Sequence, residues 1–338
     1  MRRALTLLVI CQPILAFGIE RLYFGQHSPY LDGPRMDREL LLIKELGGEG
    51  IRRNFDIADL LMSDKSRVSN WGRKYVNWTF DKIKESGLKL HITLHPSVPG
   101  ASASASRAAN KLVIDEAVRR FSKDRLSFSL ANEPRAFAYK IDDPVLTAHA
   151  KWAIPYIKDK GYDVYSPKLH GWLRDDNEPE ISQAKETERS VARIQWLYAS
   201  PFGSWLSQIG TATNFYVGWS DDPAEWARQK LDALLKVARK PFIIGEFGIR
   251  ERSGVSRYDL GYQVGRIGAV LTANRDVVFS CQYVLAGVPW YSPITASGVR
   301  DEDWIRGFKV GIGLTQASQL QIRSWRWENW SPRRESNP

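Results

Sequence analysis

Short apolar runs alternate with longer amphipathic ones along most of this chain. The apolar runs cover residues 22–25, 50–57, 88–94, 126–131, 163–166, 213–217, 241–247 and 277–284. They are rich in Ile, Val, Leu, Phe or Tyr and have Gly, Pro or Asn nearby, the pattern of strands buried on both faces. Between them, apolar residues recur at helical spacing. Segment 35–46 carries Leu40, Leu41, Ile43 and Leu46 among charges, 70–86 carries Tyr75, Val76, Phe80 and Ile83, and 111–121 carries Val113, Ile114, Val118 and Phe121. Asp143 before Pro144 and Asp222 before Pro223 mark helix starts, for segments that run to Lys160 and Arg239, and 259–274 predicts a further helix.

From the second run onward the predicted strands start at residues 50, 88, 126, 163, 213, 241 and 277. A βα unit recurring eight times predicts an α/β fold, a (β/α)8 TIM barrel in a single domain, because right-handed crossovers close such a repeat on itself. A doubly wound open sheet uses the same unit, but no Gly-x-Gly-x-x-Gly follows an early strand. The long step from 163 to 213 must hold extra material, and its segment 171–207 is rich in charge, then in Trp and Tyr. Residues 100–107, where Ala and Ser alternate, read as a flexible loop. The barrel is expected over 19–330, followed by a disordered tail at 331–338.

The composition, 338 residues with 43% hydrophobic and 25% charged, is that of a globular protein and excludes wholesale disorder or coiled coil. The net charge of +10 comes from scattered Lys and Arg rather than a dense patch, so a solvated surface is expected and no nucleic-acid partner. Residues 1–18 pair a basic start, Arg2 and Arg3, with a short apolar stretch and a small-residue end at Ala16 and Gly18. That describes a signal peptide and predicts a secreted or periplasmic protein. The stretch is shorter than the roughly 20 residues of a membrane span, Pro13 interrupts it, and no later run is long enough, so no stable membrane insertion is expected. Two cysteines, Cys11 and Cys281, are too few for a disulfide framework, and Cys281 reads as a buried small apolar residue. A monomer is expected.

Barrel enzymes place their chemistry at the C-terminal ends of the strands. The fourth run ends in Asn132-Glu133-Pro134 and the seventh in Gly245-Glu246-Phe247-Gly248. Two carboxylates facing each other across a barrel mouth suit glycoside hydrolysis, one protonating the leaving oxygen while the other attacks the anomeric carbon. The thirteen Trp residues fit such a site, since sugar C–H faces pack on aromatic rings. Trp172, Trp196, Trp205, Trp219 and Trp290 follow predicted strands five, six and eight and are placed to line a cleft. Trp78 and Trp152 sit within amphipathic helices and read as packing residues, and the segment holding Trp325, Trp327 and Trp330 reads as a cover on the barrel's outside. His91 alternates with Leu90 and Ile92 and reads as a hydrogen-bonded interior residue. His27 and His170 follow strands one and five and are candidate substrate neighbours. No paired His spacing suggests a metal, and no cofactor is expected.

At these residues the chain resembles clan A of the glycoside hydrolases, in the style of the cellulase and mannanase group of family five. The resemblance is carried by Asn132-Glu133-Pro134, by Glu246 in Gly-Glu-Phe-Gly, and by other strand ends. Arg52 resembles the strand-two arginine that supports the nucleophile, His95 the strand-three histidine near the sugar, and Tyr216 the strand-six tyrosine that hydrogen-bonds the nucleophile. The resemblance implies retaining hydrolysis of a β-linked polysaccharide or oligosaccharide. Glu133 would be the acid/base, Glu246 the nucleophile, and Asn132 the partner of the sugar 2-hydroxyl. A carbohydrate-binding pseudoenzyme and a transglycosylase are the alternatives. Two positions depart from the family: Asn214 stands where many relatives have His, and the usual strand-eight Trp is missing, so Trp290 or Tyr283 must provide the sugar platform.

Overall fold

A computed structural model describes residues 21–26, 32–133, 144–169, 182–200, 203–218, 220–249, 254–283, 292–294 and 298–314. Within them, eight strands alternate with ten helices: β1 (Leu22–Gln26), α1 (Gly33–Glu45), β2 (Gly50–Asn54), α2 (Ile57–Leu60), α3 (Asn70–Ser86), β3 (Lys89–Thr93), α4 (Ala103–Arg120), β4 (Leu126–Ser129), α5 (Pro144–Lys158), β5 (Asp163–Tyr165), α6 (Gln183–Ala199), α7 (Gly203–Leu206), β6 (Thr211–Val217), α8 (Pro223–Leu235), β7 (Phe242–Ile249), α9 (Arg257–Ala273), β8 (Val277–Gln282) and α10 (Glu302–Gly311). The readings of residues 1–18 and 331–338, of Cys11, His27, His170, Trp172, Trp219 and Trp290, and of the Trp325–Trp330 segment lie outside the described residues.

The strands are parallel and run in the order β5-β4-β3-β2-β1-β8-β7-β6. The two ends of that order meet, so the sheet is a (β/α)8 barrel. Its seam is lighter than a full ladder: isolated bridges join Tyr165 to Gly210 and Leu169 to Thr213. Ser166 completes it, donating its N–H to the Gly210 carbonyl (2.8 Å) while its hydroxyl accepts the Ala212 N–H (2.9 Å).

Local chemistry sets the helix starts. Asp32, Ser69, Ser102, Ser182, Asp222, Ser256 and Asp301 each cap a helix by accepting a first-turn backbone N–H. Ser102 corrects the reading of 100–107 as a loop. Ala103 already lies in α4, where Ala is the strongest helix former and the alternating Ser residues do not break the turn. Strand β2 is shorter than its apolar run because Asp56 caps the short α2 at Ile57. The extra material before β6 is α6 and α7. Trp196 and Trp205 lie there, and this corrects their placement in a cleft. Helices of this fold run antiparallel to the strands, so the last turn of α6 is at the end of the barrel away from the mouth. The Tyr198 hydroxyl bonds Thr211 Oγ1 (2.6 Å), at the start of β6, from that turn. Trp205 packs on the core, as do Trp78 and Trp152.

Apolar packing falls into two layers. The larger lies between strands and helices. The smaller, inside the barrel, holds Tyr23, Tyr165, Ala212, Ile243, Phe279 and Cys281, with the Tyr23 and Phe279 rings stacked at 4.3 Å. Helices α9 and α10 touch backbone to backbone through glycines. A Cβ on Gly261 would lie 2.1 Å from the Trp304 carbonyl oxygen, one on Gly307 2.1 Å from that of Tyr258, and one on Gly265 2.4 Å from that of Phe308. Backbone cannot swing aside as a side chain can. Gly265→Ala is therefore expected to destabilise the fold by roughly 1–3 kcal/mol, the usual cost of overpacking. Urea denaturation checks this: the midpoint should fall while the slope with denaturant is unchanged.

Candidate active site

The upper interior of the barrel is polar, and a bulge builds its centre. On β7, Ile243 faces the inner cluster and Ile244 the outer one. Strict alternation would then turn Glu246 outward. Instead the ladder with β6 slips, so that Ile244 pairs with Thr213 and Glu246 with Asn214, leaving Gly245 as an extra residue. Such a bulge re-aims a side chain. The freed Gly245 carbonyl accepts from Arg52 Nη1 (2.7 Å), and Glu246 points inward.

Glu246 is 1% exposed, yet both its oxygens are engaged. Arg52 Nη1 donates to Oε1 (2.5 Å) and the Tyr216 hydroxyl to Oε2 (2.7 Å). Burial alone would raise its pKa. The Arg52 charge and the Tyr216 hydrogen bond outweigh that and hold it below the ordinary carboxylate value. Tyr216, whose pKa burial and Glu246 push far up, stays a donor. Arg52 reaches the site because β2 turns it inward, while the next residue, Arg53, turns outward and meets Phe55 and Tyr75.

Glu133 stands at the end of β4 with φ +39°, a left-handed conformation that a non-glycine residue adopts only under constraint. The constraint comes from the chain after β5: the Lys168 N–H donates to the Ala131 carbonyl and the Glu133 N–H to the Lys168 carbonyl, each at 2.9 Å. Its Oε1 accepts from Asn214 Nδ2 (2.7 Å). Burial, then the Glu246 charge, push its pKa up to about 7, against the pull of the Asn214 hydrogen bond. Asn214 and Tyr216 lie two apart on β6 and share a face. One strand thus grips both carboxylates, one beginning to titrate where the other is fully ionised.

Of the remaining candidates, Asn132, His95 and Tyr283 lie in the described residues. Asn132 is buried beside Glu133, with its Oδ1 unpartnered among the described residues. His95 follows β3, its carbonyl held by Asn110 Nδ2 (2.8 Å), and burial pushes its pKa down to about 4, so it is neutral. The Tyr283 ring lies 6.1 Å from that of Tyr216, nearly perpendicular, after the Tyr283 N–H has bonded the Phe247 carbonyl (3.0 Å). Gly25 admits that backbone, because a Cβ there would lie 2.1 Å from the Tyr283 carbonyl oxygen.

Two residues escape the sequence reading. Asn214, noted only as a departure, is the partner of Glu133. Lys168 is the other: it is fully buried, and its Nζ donates to Thr93 Oγ1 (2.6 Å). Below it the polar interior continues. The Ser129 hydroxyl meets Thr93 Oγ1 (3.5 Å), His91 Nε2 meets Ser129 Oγ (3.1 Å), and His91 Nδ1 meets Ser127 Oγ (2.9 Å). His91 is thus the hydrogen-bonded interior residue expected of it. Cys281 is buried in the inner apolar cluster, its Sγ–H donating to the Gln282 carbonyl (3.4 Å), and burial pushes its thiol up to about 12.

No family model matches the chain, and no curated protein matches it in sequence. Solved structures do. A GH5-4 broad specificity endoglucanase from Clostridium acetobutylicum is similar at TM-score 0.54 and 12% identity, over 86% of this chain and 96% of that one. A β-mannanase from Streptomyces thermolilacinus reaches TM-score 0.51 at 18% identity, over 89% of this chain and 93% of that one. A family 1 β-glucosidase from Thermotoga maritima reaches 0.56 at 14% identity, over 83% and 87%. At such identities the likeness establishes the shared (β/α)8 barrel fold.

The site's electrostatics set two expectations. Asn214→Ala removes a hydrogen bond that favours ionised Glu133, so the Glu133 midpoint should move up from about 7, read by NMR of labelled glutamate δ-carbons. Between its unfolded value near pH ~4.3 and about 7, Glu133 binds more proton folded than unfolded, so it costs stability as pH rises through that window. Glu133→Gln should therefore be more stable than the parent above pH 7, with the difference fading below pH ~4, in urea titrations at each pH.

Proposed function

We propose that this protein is a retaining β-glycoside hydrolase acting on a β-linked polysaccharide or oligosaccharide by double displacement. The observation that carries the reading is the opposed bonding of two buried carboxyl groups, Glu246 held by the Arg52 cation and the Tyr216 hydroxyl and Glu133 by the neutral Asn214 amide. Glu133 can carry a proton near neutral pH and give it to a leaving oxygen, while Glu246 is ionised and can attack.

Retention is favoured over inversion by the state of Glu246. An inverting base must be basic enough to take a proton from water, with room for that water beside it. Glu246 is held below its ordinary pKa and both its oxygens are occupied. It is a weak base, but a good nucleophile and a good leaving group from an anomeric ester. Formation of that ester would remove the negative charge that helps raise the Glu133 pKa. Glu133 would then be a stronger acid, ready to act as the carboxylate base for the incoming water. Asn132, His95 and Tyr283 are proposed to contact the sugar, Asn132 through its unpartnered oxygen. The similar structures, an endoglucanase, a mannanase and a β-glucosidase, support a carbohydrate substrate. Export from the cytoplasm is part of the proposal on the strength of residues 1–18 alone, and cell fractionation tests it.

Assays on β-glucans, mannans and xylan test the reaction, with an activated aryl glycoside beside them. Activity should fall as pH rises through about 7, where Glu133 loses its proton. Glu246→Ala should be inactive on every substrate, with azide restoring an α-glycosyl azide. Glu133→Ala should lose natural glycans by about 10²-fold or more, yet keep the first step on the aryl glycoside, giving a burst. Azide should then yield the β-product by trapping the covalent intermediate. Equal loss on both substrates, with no burst and no azide product, would reject the assignment. A parent chain that binds glycans without cleaving them would identify a binding protein on the same barrel.

A further inference from the structure

Two lysines are fully buried in this barrel, and their surroundings differ. Lys230 Nζ donates to Glu186 Oε1 (2.9 Å) and to the Tyr216 carbonyl (2.8 Å), so its charge has a carboxylate against it. Lys168 has none. Its Nζ bonds the neutral Thr93 hydroxyl, and among the described residues it makes no ion pair. An unpaired ammonium in such a place costs several kcal/mol, and the group sheds its proton instead.

The charges around it deepen that preference. Arg52 faces it from β2, and His91 and His95 from β3 are themselves discharged by burial. Glu133 after β4, Glu246 on β7 and the Cys281 thiol on β8 complete the ring. Glu246 already spends its charge on Arg52, and Glu133, its pKa pushed up to about 7, holds its proton below neutral pH and is bonded to Asn214 rather than to Lys168. Burial, with the Arg52 cation, drives the Lys168 pKa far down. The stem is fixed by the bulge, since a Cβ on Gly245 would lie 1.9 Å from Lys168 Cδ. The amine is thus locked beneath the nucleophile, between β7 and Thr93.

We propose that Lys168 works as a neutral amine, a positioning residue that supports Thr93 and the underside of the Glu246 bulge without adding a second cation to the cleavage site. This rests on the glycosidase reading, in which positive charge develops on the sugar in the transition state. An ammonium beneath Glu246 would oppose that charge and blunt the nucleophile. Protonation of Lys168 therefore shuts the reaction down on the acid side. A chain of side-chain contacts, Thr93 to Ser129 to His91 to Ser127, links it to the far end of the barrel, where Ser127 lines a cavity with Tyr23, Tyr165 and Phe279.

Two measurements on the full chain test this, one independent of activity. A lysine neutral when folded and charged when unfolded makes stability rise with pH up to the unfolded value near ~10.4. Between pH 7 and 9, urea titrations should show the parent gaining on Lys168→Met by about tenfold per pH unit in the folding equilibrium constant. A flat difference means that Lys168 is an ammonium there, and overturns the proposal. In the second, the acid limb of kcat on an activated aryl β-glycoside, scaled to each protein's own maximum, should move down by about one pH unit or more in Lys168→Met. Thr93→Val, which takes away the ammonium's acceptor, should move it the same way and serves if Lys168→Met does not fold. An unmoved limb overturns the part of Lys168 in the reaction. A parent chain with no glycosidase activity defeats the functional reading instead, and the stability titration still decides the charge of Lys168.

Discussion

The ion pair between Arg52 and Glu246 is the constraint around which the interior is arranged. Neither side chain is more than 2% exposed. Removing one partner from such a pair leaves an uncompensated buried charge, which costs about 3–5 kcal/mol. The surroundings serve to keep the two together. The bulge at Gly245 turns Glu246 inward and supplies a carbonyl for Arg52, and Tyr216 takes the second carboxylate oxygen. Lys230, bridging Glu186 and the Tyr216 carbonyl, in turn fixes the strand that carries Tyr216. Apolar packing is left to the bottom of the barrel and to the layer beneath the helices.

Most of the scaffold could be read from the chain because barrel strands are short, apolar and regularly spaced. Every described strand lies where a run of Ile, Val, Leu, Phe or Tyr predicts one, with ends shifted by a few residues. The errors have local causes. Residues 100–107 look like a loop because Ser and Ala alternate, yet Ser102 is a cap and Ala a helix former. Helix α10 went unread, although Asp301 before Trp304, Ile305 and Phe308 is a start signal followed by an apolar face.

The candidate site was legible where a polar residue sits within or just after an apolar run, as Arg52, Glu133, Tyr216 and Glu246 do. It was not legible where a contact depends on register. Alternation from Ile243 assigns Glu246 to the wrong face, and only the slip at Thr213 and Asn214 corrects it. Lys168 lies just beyond the three-residue β5. Nothing in Ser166-Pro167-Lys168-Leu169 says that the side chain runs inward across a glycine on another strand. Asn214 differed from its expected type, and that difference was the one visible sign of its contact with Glu133.

The shared grip of β6 on both carboxylates has a mechanical consequence. Strand β6 borders the seam, the lightest joint of the barrel. A barrel that breathes should do so there, carrying β6 as a rigid stave. Glu246 stands on the β6–β7 side of that seam and Glu133 on the β4–β5 side, so the Asn214 bond to Glu133 is a side-chain tie across the lightest joint. Opening of the seam would load that bond first, so closure of the barrel and the hydrogen bond on the acid are coupled.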